Sequence, residues 1–490
     1  MLSCQGLGFR YGEKADPVFS DLSLTVKKGE TVLLMGPSGC GKSTLAYCLA
    51  GLYPEYAGEL SGEILLNGKP LSEYGPASRA RTLSILFQNP DNQFCMDRVD
   101  HEVLFALENI NYQGNLEKRM GELLAMTGLE QEASSPIHIL SGGMKQKLAL
   151  CTALATEAQM LILDEPFANL DPAASASLAE LLRQMNEQGL TLLVVDHRLD
   201  WWRPFLSRVI LYDNTGNLDE NSITCGELEE RQEEFASRGL FLGNEWLDRR
   251  HPPKVPAQAE IMVEARDLVL YHDRKPFLSN LSFQAGKGSV TALVGNCGSG
   301  KTSLLQAAAG IGKYTGKLFL GGRAGLVFQN PRFQFVSTSV KEEIRITLRA
   351  AREKAEETAV DQEAERLLEE FGLLDWKDAS PYALSQGQQR RLALLAMLAG
   401  DCPLLLLDEP TYAQDERSTE FILDLLEKRL AEGLTVIMAT HDLELAAAWA
   451  NQSLLLEDGS LKPLSAREVS EYISSLIPGE EKEEERSEPS

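Results

Sequence analysis

One eight-residue pattern occurs twice in this 490-residue chain: glycine, four free positions, glycine, lysine, then serine or threonine. The first copy is Gly36-Pro37-Ser38-Gly39-Cys40-Gly41-Lys42-Ser43 and the second is Gly295-Asn296-Cys297-Gly298-Ser299-Gly300-Lys301-Thr302. Each follows an apolar run that reads as a strand, TVLLM from Thr31 and VTALV from Val290. Each leads through one hydroxyl residue, Thr44 or Ser303, into a helix-forming stretch. Strand, loop and helix in that order are the context in which such a loop grips phosphate. Its glycines let backbone N–H groups turn inward without Cβ interference. The helix that follows points the positive end of its dipole at the same anion. Lys42 and Lys301 are placed to neutralise β- and γ-phosphates, and Ser43 and Thr302 to offer a hydroxyl to Mg²⁺. Two loops predict two nucleotide sites.

Length alone predicts about three domains, but an internal repeat overrides that prior. Lys42 and Lys301 lie 259 residues apart, Gln88 and Gln329 lie 241 apart, and Ser141/Ser385, Asp164/Asp408 and His197/His441 all lie 244 apart. The spacing is therefore constant through the later part of each copy. The first copy is longer by 18 residues between phosphate loop and glutamine, and the Gly- and Pro-containing stretch Leu52–Ala77 reads as a loop or hairpin insertion there. The expected division is a first domain over 1–247, a linker over 248–260, a second domain over 261–478 and an acidic, unstructured tail over 479–490. The three prolines of RRHPPKVPAQAE suit an extended linker, and GELEERQEEFASRGLFLGNEWL before it reads as a short charged helix.

The formal charge is −25, which argues against a nucleic-acid footprint and against direct docking on anionic lipid. No run of 18 apolar residues is present, and the first residues lack the basic and apolar segments of a secretory signal. Eight scattered cysteines with no C-x-x-C spacing read as free cytosolic thiols. Cys40 and Cys297 lie inside the phosphate loops, as small residues that fit there or as a redox switch.

The runs MLILD, LTLLVVD, LLLLD and LTVIMAT are rich in branched residues and polar-poor. They read as buried strands of a largely parallel sheet, so the fold class is α/β with chemistry at strand C-terminal ends. MLILDEP carries Asp164 and Glu165 to a sheet edge, and LLLLDEP does the same for Asp408 and Glu409. The aspartates suit Mg²⁺ and the glutamates suit polarisation of an attacking water. Leu140-Ser141-Gly142-Gly143 and Leu384-Ser385-Gln386-Gly387 each stand at the start of an Ala- and Leu-rich helix. There the serine is a helix cap or part of an anion site.

Phosphate loop, glutamine, L-S-x-G, D-E-P and a final histidine occur in this order in both halves. The chain thereby resembles the ATP-binding cassette ATPases over almost its whole length. The resemblance implies two tandem P-loop cassettes, each with a mainly parallel core sheet and a helical signature subdomain. It implies composite sites, with ATP on one phosphate loop covered by Ser385 and Gly387, and ATP on the other by Ser141 and Gly143. It implies that Tyr11 and Tyr271 stack on adenine, that His197 and His441 contact the γ-phosphate, and that Gln88 and Gln329 reach Mg²⁺ and water. Glu165 and Glu409 are the implied bases, with ATP and Mg²⁺ the implied ligands.

FQNPDNQF (Phe87–Phe94) and FQNPRFQF (Phe328–Phe335) are similar to the ATPases of energy-coupling-factor importers, and HEVLFALEN extends the likeness. That resemblance implies a motor subunit at the cytoplasmic face of a bacterial membrane. Its partners would be a transmembrane coupling subunit and a substrate-binding subunit, and its cargo a vitamin, a vitamin precursor such as hydroxymethylpyrimidine or thiamine, or a metal ion. Asp91 of one copy is replaced by Arg332 at the matched place of the other, which predicts docking grooves for two different helices. Gln386 for glycine, and Ala413-Gln414-Asp415 for Asn169-Leu170-Asp171, predict slower or altered closure in the second half. The alternatives are a duplicated sugar-importer ATPase and a soluble ABC-type translation factor. Two intact phosphate loops disfavour the first. The short Pro-rich linker and acidic surface disfavour the second.

Overall fold

In the computed structural model the described residues are 1–472, except 14, 38, 56, 169, 171, 214–217, 219–221, 232–233, 236–239, 241–246, 248, 257, 273–274, 297, 353–355, 412–415, 458, 466 and 470. The chain divides into two compact units, Met1–Gly243 and Asn244–Ser490. The acidic tail and the second-half segment around Gln414 lie outside the described residues, as do Ser38, Cys297, Asn169 and Asp171.

The first unit begins with an antiparallel sheet of β1 (Leu2–Arg10), β2 (Phe19–Val26), β4 (Glu59–Leu66) and β5 (Lys69–Pro70), in the order β2-β1-β4-β5. Its core sheet uses β3 (Thr31–Met35), β6 (Leu83–Leu86), β7 (Met160–Asp164), β8 (Thr191–Val195), β9 (Arg208–Leu211) and β10 (Ile223–Thr224). The order is β10-β9-β3-β8-β7-β6, parallel except where β10 meets β9. Every residue of β3, β7 and β8 is buried. Both faces of the sheet are covered, which is why these strands read as unbroken apolar runs rather than alternating ones. One face packs on the antiparallel sheet and α1 (Lys42–Leu49). The other packs on helices, among them α3 (Val99–Asn109), α4 (Leu116–Thr127), α5 (Gly142–Ala155) and α6 (Pro172–Glu187). Short α2 (Pro76–Ala80) completes the unit.

The second unit repeats the plan. β11 (Ile261–His272), β12 (Lys275–Gly286) and β14 (Tyr314–Leu320) form its antiparallel sheet. β13 (Val290–Val294), β15 (Ala324–Val327), β16 (Leu404–Asp408), β17 (Thr435–Ala439), β18 (Gln452–Glu457) and β19 (Ser460–Leu464) form the core in the order β15-β16-β17-β13-β18-β19. Its helices are α7 (Lys301–Ala308), α8 (Val340–Ala351), α9 (Glu357–Glu370), α10 (Gln386–Leu398), α11 (Glu416–Ala431) and α12 (Leu443–Trp449). The extra length of the first copy falls mainly between β4 and β6, where β5 and α2 stand. In the second copy a short turn joins β14 to β15.

The described residues of the segment expected as a linker fall in the second unit. Arg250 reaches Asp424 (2.6 Å) and Glu427 (3.1 Å) on α11, and Asn451 donates to the Pro253 carbonyl (2.8 Å). Of the short charged helix expected before it, the described part shows 3-10 turns at Cys225–Glu227 and Glu229–Arg231 and α-helical residues at Glu234 and Phe235, and most of the remainder lies outside the described residues. A Thr224/Glu227 capping box opens the first turn.

Candidate functional site

β3 ends at the first phosphate loop and α1 begins inside it, with Gly41 at φ 106° as the residue before the helix. Gly300 takes the same φ before α7. A Cβ on Gly41 would stand 2.6 Å from Val18, and one on Gly300 would stand 2.6 Å from Leu278. The pattern therefore demands glycine there for backbone conformation and for space. The lysines fold back over their own loops. Lys42 Nζ donates to the carbonyls of Gly36 (2.7 Å) and Pro37 (2.8 Å), and Lys301 Nζ to those of Gly295 (2.7 Å) and Asn296 (3.1 Å). Both lysines are buried, so each ammonium is held as a fixed positive centre at a helix N-terminus.

The parallel sheet brings the remaining groups to this edge. Ser43 donates to Asp164 Oδ1 (3.0 Å), and Thr302 to Asp408 Oδ1 (3.0 Å). Tyr47, one turn along α1, donates to Asp164 Oδ2 at 3.3 Å. Burial pushes the Asp164 carboxyl up to about 7, reinforced by Glu165 and opposed by Ser43, Tyr47 and Lys42. Burial pushes Asp408 up to about 6 in the same way. A cation beside either aspartate would restore its ionised form.

Glu165 and Glu409 adopt left-handed backbone, φ 47° and 53°. Their N–H groups donate back to the adjacent strands, to Val195 and Ala439, each at 2.8 Å. This turn is costly for a residue with a Cβ, and it aims each carboxylate at its histidine. His197 Nε2 lies 3.0 Å from Glu165, whereas His441 presents Nδ1 to Glu409 at 2.8 Å. Burial pushes both glutamates up, but the histidines and lysines outweigh it and hold them below the ordinary range. Burial likewise depresses His441, and the Glu409 charge reverses the balance and raises it. Gln88 Nε2 donates to Glu165 Oε2. Among the described residues Gln329 makes no matching side-chain bond to Glu409; its backbone carbonyl accepts from Arg390 instead.

Ser141 and Ser385 are N-caps of α5 and α10, accepting from Met144 N and Gln388 N. An accepting cap oxygen keeps its own O–H free to donate, so capping and anion contact are compatible. Gly142 and Gly143 open α5 after Ser141, and Gly387 stands in the first turn of α10. Tyr11 is 52% exposed, edge-on to Phe9, with its hydroxyl on Thr44 (2.8 Å). It is not a core tyrosine. Tyr271 pairs with Thr315 (3.2 Å). Cys40 is buried, and burial raises its thiol, so a thiolate-based redox role finds no support at that position. Ser303 lies in the first turn of α7.

Sequence reasoning missed the groups that shape the segment after each glutamine. Asn89 and Asn330 accept from the N–H two residues on, and Gln93 and Gln334 reach the Ala149 and Ala393 carbonyls of the signature helices. Buried Glu102 accepts from Cys95 N and Met96 N, and buried Glu343 from Val336 N and Ser337 N. Their matched spacing in the two copies was the available signal.

A phosphate loop, a strand-end Asp-Glu pair and a histidine on that glutamate, set at one sheet edge in each unit, define a nucleotide-hydrolysing α/β core. Residues 19–168 and 278–412 match the ABC transporter family. A Bacillus subtilis protein named for HMP/thiamine import ATP binding, YkoD, is 36% identical over 94% of this chain and 90% of its own length. An ABC transporter ATP-binding protein of Methanosarcina acetivorans is 33% identical over 92% and 84%. In fold, the chain is similar to the archaeal ribosome recycling factor aABCE1, with TM-score 0.67, 24% identity, and 96% and 92% coverage. The chain belongs to the ABC transporter family as a tandem pair of ATPase domains, and it is an ATPase.

Proposed function

We propose that this chain is the energy-coupling ATPase of a membrane importer of the energy-coupling-factor type, carrying a vitamin, a vitamin precursor or a metal ion. The observation that carries the reading is the duplicated F-Q-N-P-x-x-Q-F segment. In each unit it is an ordered platform, with an asparagine cap, a proline-led turn, a glutamine tie to the signature helix and a buried glutamate beneath. Such a platform transmits motion between a docked helix and the glutamine beside the catalytic carboxylate. The relatives are transporter ATP-binding proteins, which implies transmembrane partners at the cytoplasmic face. Among the described residues no helix is long and apolar enough to cross a membrane. Exposed Phe333 and Val336 stand where the first unit has Asn92 and Cys95, which supports two chemically different docked helices, from a coupling subunit and its asymmetric surroundings.

In this reading ATP is bound twice, once on the phosphate loop of each half. Lys42 and Lys301 neutralise phosphate, Tyr11 and Tyr271 stack on adenine, and Glu165 and Glu409 orient and polarise the attacking water. His197 and His441 hold those glutamates and face the γ-phosphate. Ser43, Asp164 and Gln88, and Thr302, Asp408 and Gln329, offer only oxygen donors, which fits Mg²⁺. No group of three His, Cys, Asp or Glu able to hold a metal occurs among the described residues, so the ion would need phosphate oxygens to complete its shell. When bound it neutralises charge developing between the β- and γ-phosphates.

Detergent extraction of membranes should recover the full chain with small hydrophobic subunits and a bound solute. Salt-sensitive co-sedimentation with ribosomes, and no membrane partner, would overturn the proposal in favour of a translation factor.

A further inference from the structure

Arg390 stands on α10, five residues beyond the capping Ser385, and is buried. A buried guanidinium requires fixed acceptors. Here one nitrogen donates to the Glu409 backbone carbonyl, and another to the Gln329 carbonyl across 2.8 Å. These two carbonyls belong to the left-handed turn that aims the glutamate and to the bend that opens the docking platform. Arg390 therefore braces both against the helix whose first turn carries Gly387.

The matched residue in the first unit, 244 positions earlier, is Gln146. Gln146 is fully buried, and among the described residues neither its amide nitrogen nor its amide oxygen has a hydrogen-bond partner. The first unit uses a different tie, from the Gln88 side chain to Glu165. The two centres thus connect glutamine loop and glutamate by different means. One link is a side-chain bond that a moving glutamine can break. The other is a charge-assisted backbone brace that holds while the Gln329 side chain moves.

We infer that Arg390 is a positioning residue that clamps the Gln329 bend to the Glu409 turn, so that in the second hydrolytic centre the signature helix itself joins the two, whereas in the first the Gln88 side chain makes that link to Glu165. The inference rests on the reading of Glu409 as the base of that centre. It concerns how the turn is held, and it can be judged without turnover.

The test uses the full-length protein and the variants Arg390→Gln, which copies the first unit, and Arg390→Lys. Hydrogen exchange read by mass spectrometry, without nucleotide, should speed by about ten-fold in peptides over 329–335 and 408–411 of Arg390→Gln. The matched peptides over 88–94 and 164–167 should keep their rates, and Arg390→Lys should recover part of the protection. In a Glu165→Gln background, Arg390→Gln should lower kcat about ten-fold with the KM for ATP within about two-fold. Unchanged exchange in both second-unit peptides would overturn the inference, as would equal acceleration in both units, which marks general loosening. Where Glu165→Gln alone stops hydrolysis, the exchange result decides. Turnover surviving in Glu165→Gln/Glu409→Gln would defeat the functional reading while leaving the brace to be judged by exchange.

Discussion

Lys145, in the first turns of α5, donates to Asp91 across 2.7 Å and ties the turn after Gln88 to the start of the signature helix. At the matched positions of the second unit Arg332 donates to Gln389 Oε1 across 3.2 Å. The cation has moved from the helix to the turn, and its partner has changed with it. Asp91 and Arg332 are thus each accommodated inside their own unit, whatever helices dock outside. Because Asp91 is half exposed, a double-mutant cycle over Asp91→Ala and Lys145→Ala should give a coupling of about 0.2–1 kcal/mol by thermal unfolding. A coupling indistinguishable from zero would mean that the pair sets surface charge only. Exchanging Asp91 and Arg332 should impair assembly or transport more than stability, and an undisturbed complex would remove the asymmetric-docking reading.

Glu102 is buried and accepts two backbone N–H groups. Glu102→Ala leaves both donors without a partner and should cost about 2–3 kcal/mol in urea unfolding. Glu102→Gln, which keeps one carbonyl oxygen in place, should cost less. Equal costs for the two variants would show that the packing of the side chain matters and its acceptor does not.

Glu165→Gln and Glu409→Gln remove the carboxylates that face His197 and His441. Each should reduce turnover at its own centre by about 10²-fold or more while nucleotide binding persists, read by single-turnover hydrolysis. If Glu165→Gln removed all hydrolysis and Glu409→Gln none, the two centres would not be equivalent catalysts.

Glu30 pairs with Arg208 at 2.7 Å. Burial raises this carboxyl, but Arg208 and the Lys27 N–H outweigh it, so its pKa in the folded chain lies below the ordinary 4.5. A depressed carboxylate contributes stability that is present above 4.5 and lost as pH falls through the folded value. Glu30→Gln should therefore lower the Tm at pH 7, and the gap to the parent chain should shrink below pH 4.5. A gap independent of pH would assign the effect to shape and not to charge.

The groups named by local pattern were legible in the sequence. Lys42 and Ser43 open the helix after a glycine loop, Asp164 and Glu165 close an apolar strand, and a second copy of each pattern makes coincidence untenable. The φ of Glu165 was not legible, because it is set by the Val195 carbonyl on another strand. The role of Arg390 was not legible either. Only the fold brings it to carbonyls 61 and 19 residues away. The roles of Glu102 and Glu343 were not legible, since a loop reaching back over a helix leaves no periodic trace.

The central claim is that one chain holds two complete ATP sites. Equilibrium binding of Mg²⁺-ATP to full-length Glu165→Gln/Glu409→Gln tests it most directly. The account predicts two bound nucleotides per chain, falling to one when Lys42 or Lys301 is also replaced by alanine. A single nucleotide per chain before either lysine is changed would contradict it.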